Sequence, residues 1–264
     1  MSKNESQSRA SSLLHYLQHE LQHYLLPNHC LLCHSLSPEA LCLNCSLKLS
    51  RPTKACLGCD LRLNSEASFC PECQQGQHNF DQAYCAFDYE AELKQLIHHF
   101  KDKGQLRLGC WLSQELAQRL KQAAQQKAKH QQIDLMCPTP QHWLKRLKRG
   151  FNQAAFISKQ LNRHLEIPLQ ICCLFEHKLD FNEQKLLNRE QRQIHAAEPF
   201  TLKKRDIRGL NVAIVDDLIT TAATANQLSR QLKRAGAARV EIWALARTPK
   251  PNRQLKQARD QHQT

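Results

Sequence analysis

The chain has 264 residues, 41% of them hydrophobic and 23% charged, with 37 Lys and Arg against 24 Asp and Glu for a formal net charge of +13. This length accommodates one α/β core plus a small accessory module. The lack of any run of 18 apolar residues argues against a membrane-spanning helix and membrane insertion.

The charge is uneven along the chain. Residues 1–80 hold six basic and six acidic side chains, whereas residues 81–264 hold 31 against 18. A basic second part suits polyanions, either phosphorylated small molecules or nucleic acid, although surface charge of this kind also serves solubility. The first 26 residues lack a continuous apolar stretch and carry Glu5, His15 and Glu20, so they make a poor signal peptide. Leu14, Leu17, Leu21 and Leu25 recur at helical spacing, which predicts a short amphipathic helix over 11–26 that Pro27 ends.

Eight of the thirteen cysteines fall in four C-x-x-C pairs: Cys30/Cys33, Cys42/Cys45, Cys56/Cys59 and Cys70/Cys73. Two residues between thiolates let both sulfurs of a tight turn reach one ion, and two such turns complete a tetrahedral four-cysteine site. Four pairs make two structural zinc sites, most simply Cys30-Cys33-Cys42-Cys45 and Cys56-Cys59-Cys70-Cys73. The spacing alone leaves a crossed pairing open, and an iron–sulfur cluster is the alternative occupant. With all four ligands from protein, neither site keeps an open position for catalysis. Residues 30–73 show little apolar periodicity, so metal rather than a core is expected to hold them. His29, His34 and His78 read as bystanders, and Cys85, Cys110, Cys137, Cys172 and Cys173 as core residues. Reduced, metal-binding cysteines in a chain of this kind point to the cytoplasm.

From residue 84 strands and helices alternate. Tyr84–Tyr89 is strand-like. Leu93, Leu96, Ile97 and Phe100 form one helix face, and Leu112, Leu116 and Leu120 another. Ile133–Cys137 is a short strand ending at Pro138-Thr139-Pro140. Ile157, Leu161 and Leu165 mark a helix, Leu169–Phe175 a strand, and Val240–Leu245 a closing strand. Such alternation implies a mainly parallel α/β sheet with helices on both faces. Neither G-x-G-x-x-G nor G-x-x-x-x-G-K occurs, which weighs against dinucleotide and P-loop readings.

The most informative segment is Leu210–Thr224, LNVAIVDDLITTAAT. Val212, Ile214 and Val215 make a buried strand that runs into the carboxylates Asp216 and Asp217. A loop containing Thr220, Thr221 and Thr224 then enters a helix with Ala225, Leu228, Leu232 and Ala235 on one face and Gly236 as its stop. Free N–H groups and the helix dipole at Thr220–Thr224 favour a phosphate dianion. The two carboxylates lie where α/β sheets bind ligands and can accept hydrogen bonds from vicinal ribose hydroxyls. This order builds a site for a phosphorylated sugar, the alternative being a strand–turn–helix whose Asp217 and Thr220 merely cap.

Taken together, the cysteine set, Phe87–Gly104 (FDYEAELKQLIHHFKDKG), Cys137–Ala154 (CPTPQHWLKRLKRGFNQA) and the VAIVDDLITTAAT segment with its closing Ala246-Arg247-Thr248 resemble the ComF family. Members of that family join a double zinc ribbon to a type I phosphoribosyltransferase-like domain. The resemblance covers about residues 26–248 and implies a double zinc ribbon over 29–80 and a phosphoribosyltransferase-like domain over 81–248; the leucine spacing places an N-terminal amphipathic helix in 1–28, and composition marks a polar tail over 249–264. It also implies that phosphoribosyl pyrophosphate (PRPP), with Mg2+, binds with its ribose hydroxyls on Asp216 and Asp217, the residues placed at the catalytic centre, and its 5′-phosphate on Thr220, Thr221, Ala222, Ala223 and Thr224. The Pro138-Thr139-Pro140 turn would meet pyrophosphate, with Arg149, and with Arg189 and Arg192 from a closing loop at Gln184–Arg192. Lys145, Arg146, Lys148 and Arg149 are candidates for contacting nucleic acid. Two positions depart from the family pattern: Ala222 stands where Gly is usual, and His195 where Asn is usual.

Two functions from different classes fit. One is Mg2+-dependent transfer of ribose 5-phosphate from PRPP to an acceptor, in the setting of DNA uptake and natural transformation that the resemblance implies. The other is a non-catalytic accessory or adaptor that binds single-stranded DNA or proteins of the DNA-uptake machinery and retains the phosphoribosyltransferase fold.

Overall fold

The computed structural model describes residues 29–125, 132–141, 147, 149–165, 170–177 and 200–250. The expected helix over 11–26, the closing loop with Arg189, Arg192 and His195, the basic residues Lys145, Arg146 and Lys148, and residues 251–264 of the expected polar tail lie outside the described residues. The chain divides into two compact units, residues 1–48 and 49–264.

The described part of the first unit, residues 29–48, holds one cysteine quartet and helix α1 (Leu43–Lys48). The second unit holds the other quartet, with the short helix α2 (Pro71–Gln74), and the α/β core. Its strands are β1 (Gln82–Asp88), β2 (Leu135–Pro138), β3 (Gln170–Ile171), β4 (Phe175–His177), β5 (Phe200–Leu202), β6 (Asn211–Ile219) and β7 (Arg239–Arg247). Its longer helices are α3 (Ala91–Asp102), α4 (Leu106–Ala124), α5 (Gln153–His164) and α6 (Ala223–Arg234).

Five strands form one parallel sheet in the order β1-β7-β6-β2-β3. The path from β1 to β2 and on to β3 runs one way across the sheet, while β6 to β7 runs the other. Right-handed crossovers therefore put α3, α4 and α5 on one face and α6 on the opposite face. The expected α/β class with both faces covered is the fold observed. At the centre, β7 is buried almost throughout and β6 over Asn211–Val215 and at Ile219, as parallel strands covered on two sides require, with Asp216, Asp217 and Leu218 half-buried.

The helical stripes read from the sequence face the core. Leu93, Leu96, Ile97 and Phe100 of α3 are buried, as are Leu112, Leu116 and Leu120 of α4 and Ile157 and Leu161 of α5. Helix α6 ends on Gly236 at φ +95°, the left-handed position expected of it.

Three expectations need correction. Leu169–Phe175 is not one strand: β3 stops at Ile171, and β4 begins at Phe175 to pair antiparallel with β5. The second quartet is not held by metal alone, because Cys56, Cys59, Leu61, Cys70 and Phe80 pack in the same apolar core as Ile219, Ala222 and Leu228. Of the five cysteines assigned to the core, Cys173 is exposed and Cys110 only half-buried.

The second quartet also covers part of the β1 edge of the sheet. The Ala83 N–H donates to the Gly58 carbonyl at 2.8 Å, and the Cys85 N–H donates to Asp60 Oδ2 at 2.6 Å. Backbone groups that an edge strand would otherwise offer to another chain are satisfied in this way.

Candidate metal centres and phosphosugar site

The structure brings the cysteines together in sequential quartets. Cys30, Cys33, Cys42 and Cys45 form one group and Cys56, Cys59, Cys70 and Cys73 the other, each with its sulfurs within 4.8 Å of one another. Cys33 and Cys42 Sγ are 3.7 Å apart, and Cys59 and Cys70 Sγ are 3.6 Å apart. A tetrahedral zinc with Zn–S bonds of about 2.3 Å has an S–S edge of about 3.8 Å, so both quartets fit the ion. Burial pushes the Cys59 thiol up to about 12, with the charges of neighbouring cysteines adding to it. Such a sulfur becomes a thiolate only beside a cation.

The two quartets are built alike. In each, the N–H of the first cysteine donates across a turn, Cys30 to the Ser35 carbonyl and Cys56 to the Leu61 carbonyl, both at 2.8 Å. The residue after the second cysteine takes a left-handed conformation, His34 at φ 58° and Asp60 at φ 56°. Among the described residues, His29, His34 and His78 belong to neither group.

The second site lies at the carboxyl end of β6. Asp216 and Asp217 are the sixth and seventh residues of that strand, so the acidic pair sits within the ladder rather than in the loop beyond it. The Asp217 N–H donates to Asp216 Oδ1 at 2.8 Å. Burial and the adjacent Asp217 charge raise Asp216 to about 7, while Lys101 and the Thr139 hydroxyl pull the other way. Lys101, near the end of α3, places Nζ 2.6 Å from Asp217 Oδ2.

A cleft of about 320 Å³ opens beside these carboxylates. Lys101, Thr139, Arg149, Asn152, Phe200 and Asp217 are among the residues that line it. The Arg-Gly-Phe-Asn-Gln run builds its wall. Asn152 caps α5 by accepting from the Ala155 N–H at 3.2 Å, and its Nδ2 donates to the Thr139 carbonyl at 3.2 Å. Gln153 Nε2 donates to the Lys101 carbonyl at 3.4 Å, and Phe151 packs on Phe100. Thr139 is anchored to β6 through its N–H and its hydroxyl, both donating to the Val215 carbonyl. The turn at Pro138–Pro140 and the acidic pair are thus held together by two neighbouring strands. Arg149 lines the cleft, and its Nε donates to Asp102 Oδ1 at 3.1 Å.

On the other side of Asp216, residues 218–225 curl around a small hollow of about 50 Å³. Ala222 is the N-cap of α6 and adopts φ 61°, ψ 10°, so the position where the family pattern has Gly does require the left-handed region. For Ala this conformation costs on the order of 1 kcal/mol. Ala222 is buried, and the surrounding core holds it there. The first N–H groups of α6 have no partner within the helix, and Ala223, Thr224 and Ala225, which carry them, line the hollow. This is the usual setting for an anion.

Sequence reasoning located the acidic pair, the threonine loop and the proline turn, and the structure brings them to one end of the sheet. It missed Lys101. That residue sits within the quoted FDYEAELKQLIHHFKDKG segment, where a lysine on an amphipathic helix reads as a solvated charge. No local pattern marks it, because only the fold brings the last turn of α3 to the carboxyl end of β6.

No model of a protein family matches the chain. The chain is 30% identical to competence protein F of Haemophilus influenzae over 179 residues, which is 66% of this chain and 76% of that protein. It is 27% identical to DNA utilization protein YhgH of Escherichia coli K12 over 180 residues, 67% of this chain and 76% of that protein. It is 29% identical to competence protein ComFC of Bacillus subtilis over 116 residues, 43% of this chain and 45% of that protein. Similar solved structures include a hypoxanthine-guanine-xanthine phosphoribosyltransferase, at 20% identity and a TM-score of 0.30 over 53% of this chain and 62% of that one. Another is the hypoxanthine phosphoribosyl transferase of Trypanosoma cruzi, at 16% identity and a TM-score of 0.32 over 54% of this chain and 74% of that one. The chain belongs to the competence protein F family.

Proposed function

We propose that the chain binds PRPP with Mg2+ in the cleft beside Asp216 and Asp217 and serves DNA uptake. The observation that carries this reading is the pairing of two half-buried carboxylates with a left-handed, hydroxyl-bearing helix entry on one strand, β6. Asp216 and Asp217 accept hydrogen bonds from the ribose hydroxyls, and Lys101 holds the Asp217 carboxylate in place for that purpose. Thr220, Thr221 and Thr224 donate to the 5′-phosphate together with the α6 N–H groups. Thr139, held by Val215, and Arg149 face the pyrophosphate, with Arg189 and Arg192 assigned to it from the loop. Asp216, Asp217 and the oxygens of the Thr139 turn are hard donors of the kind that would hold Mg2+ brought in with PRPP, and the ion would supply neutralising charge to the pyrophosphate. The protein's share in ribosyl transfer is orientation and electrostatic support of the departing pyrophosphate, with no protein nucleophile.

DNA uptake enters through the names of the relatives, a competence protein and a DNA utilization protein. A second reading, a non-catalytic partner of single-stranded DNA or of uptake proteins, is favoured by the basic excess of residues 81–264. Calorimetric titration of the zinc-loaded chain with PRPP and Mg2+, beside an Asp216→Asn/Asp217→Asn control, separates the two. Binding that the control loses supports the PRPP reading. No binding at millimolar PRPP, together with salt-sensitive binding of single-stranded DNA, supports the second.

A further inference from the structure

The chain leaving the second cysteine quartet is stitched to helix α6, immediately after the loop assigned to the 5′-phosphate. Within the quartet, Gln74 N–H donates to the Cys70 carbonyl at 3.0 Å, Gly76 N–H to the Cys73 carbonyl at 3.2 Å and Gln77 N–H to the Glu72 carbonyl at 2.9 Å. The position of Gln77 is therefore set by the turn that carries Cys70 and Cys73. From there, Asn226 in the first turn of α6 gathers three groups. Its Oδ1 accepts the Asn79 N–H at 2.9 Å, and its Nδ2 donates to the Gln77 carbonyl at 3.4 Å and lies 3.1 Å from His78 Nδ1. His78 stacks on the buried Phe80, 4.7 Å between ring centroids, which fixes this strap from the other side.

A second arm reaches the loop from β7. Arg247 is buried and donates from Nη1 to the Thr220 carbonyl at 3.0 Å, and the next residue's N–H, that of Thr248, donates to the Ile219 carbonyl at 2.9 Å. Between the arms, Ala222 packs in one core with Cys56, Cys59 and Cys70. Ala222 holds a conformation that an alanine leaves unless its neighbours forbid it. Residues of the quartet share the buried core that surrounds it, and the two arms hold the backbone on either side of it, at Ile219–Thr220 and at Asn226.

We infer that Asn226 is a positioning residue through which metal in the Cys56-Cys59-Cys70-Cys73 quartet fixes the phosphate loop Thr220–Thr224. Loss of metal there releases Gln77–Asn79, and with it the helix entry, while the first quartet belongs to the other compact unit and has no part in this. The functional meaning rests on the phosphate-loop reading of Thr220–Thr224. By thermodynamic reciprocity, whatever loosens the Asn226 strap also loosens the quartet's grip on its ion. Asn226 touches no ligand atom in this scheme and acts only through the loop.

The test uses the zinc-loaded full chain and two readouts: hydrogen exchange over residues 219–226, and zinc release to a chromogenic chelator. The variants are Asn226→Ala and, to break the first quartet, Cys33→Ala/Cys42→Ala. Alanine is the better helix former at a half-buried position of α6, so folding is retained. Asn226→Ala is expected to speed exchange at 220–224 and release of one of the two zinc ions by about five- to tenfold, the effect of roughly one net hydrogen bond. Cys33→Ala/Cys42→Ala is expected to leave loop exchange at the wild-type rate. Wild-type exchange and release rates in Asn226→Ala would overturn the inference, as would equal loosening of the loop by the first-quartet variant. Neither readout uses PRPP, so a failure of PRPP to bind in calorimetry counts against the proposed function and leaves this result standing.

Discussion

Lys101 Nζ lies 2.6 Å from Asp217 Oδ2, with the two side chains only 17% and 15% exposed. The contact joins the end of α3 to the acidic pair on β6 and sets a positive charge beside two carboxylates. In this setting the pair matters more than a surface ion pair, because removing one member leaves the other charge half-buried and alone. Lys101→Met is expected to lower unfolding stability by about 1–3 kcal/mol. Adding Asp217→Asn to Lys101→Met is expected to recover part of that loss, which a urea-unfolding double-mutant cycle checks.

Asp216 gives the fold a pH dependence of definite sign. Its value in the folded state, about 7, lies above the ordinary 3.8, so between these values the native protein holds a proton that the unfolded chain has released. Its contribution therefore favours folding at low pH and is lost as pH rises toward 7. Asp216→Asn removes this contribution, so its stability relative to wild type is expected to improve steadily from pH 4 to pH 7 and level off above. Chemical unfolding of both proteins across that range measures it.

Ala222 at φ 61° marks a position where the backbone favours glycine. Ala222→Gly is expected to relieve strain and raise stability by about 0.5–1 kcal/mol, with tighter phosphate binding as the cradle relaxes. Ala222→Val is expected to go the other way and by more, since a β-branched residue tolerates this region less well than alanine. Thermal unfolding of the three proteins at one pH gives the order.

The metal sites have their own signature. Each chain is expected to hold two zinc ions, and Cys33→Ala/Cys42→Ala one. Gly58 is the sensitive position in the second quartet: a Cβ built there would lie 2.8 Å from Cys73 Sγ, closer than real contacts allow. Gly58→Ala is expected to weaken that site so that one ion is lost readily to a chelator while the other is kept, as zinc stoichiometry under chelator challenge reveals.

Much of this was legible in the residues themselves. Strands buried on both faces read as continuous apolar runs and the helices that cover them as period-3.6 stripes, so β6, β7 and the stripes of α3 and α4 announced themselves. The cysteine spacings implied two metal sites, and only coordinates settled that the quartets are sequential. What stayed hidden depends on contacts distant in sequence. Lys101 meets Asp217 across more than a hundred residues, and no local pattern encodes that meeting. Asn226 looks like any polar residue of a helix until Gln77, His78 and Asn79 are brought against it. The break at Cys172–Leu174 was missed because a run of small and apolar residues fits one buried strand as well as two short ones.

The proposed function assigns a phosphorylated ribose to the β6 carboxylates and the threonine loop. The most direct measurement is the 31P spectrum of PRPP with Mg2+ titrated by the zinc-loaded chain, with Asp216→Asn/Asp217→Asn as control. The expected result is a shift and broadening of the 5′-phosphate resonance with wild type that the control abolishes. A 5′-phosphate resonance left unmoved by the wild-type chain at millimolar PRPP would contradict that assignment.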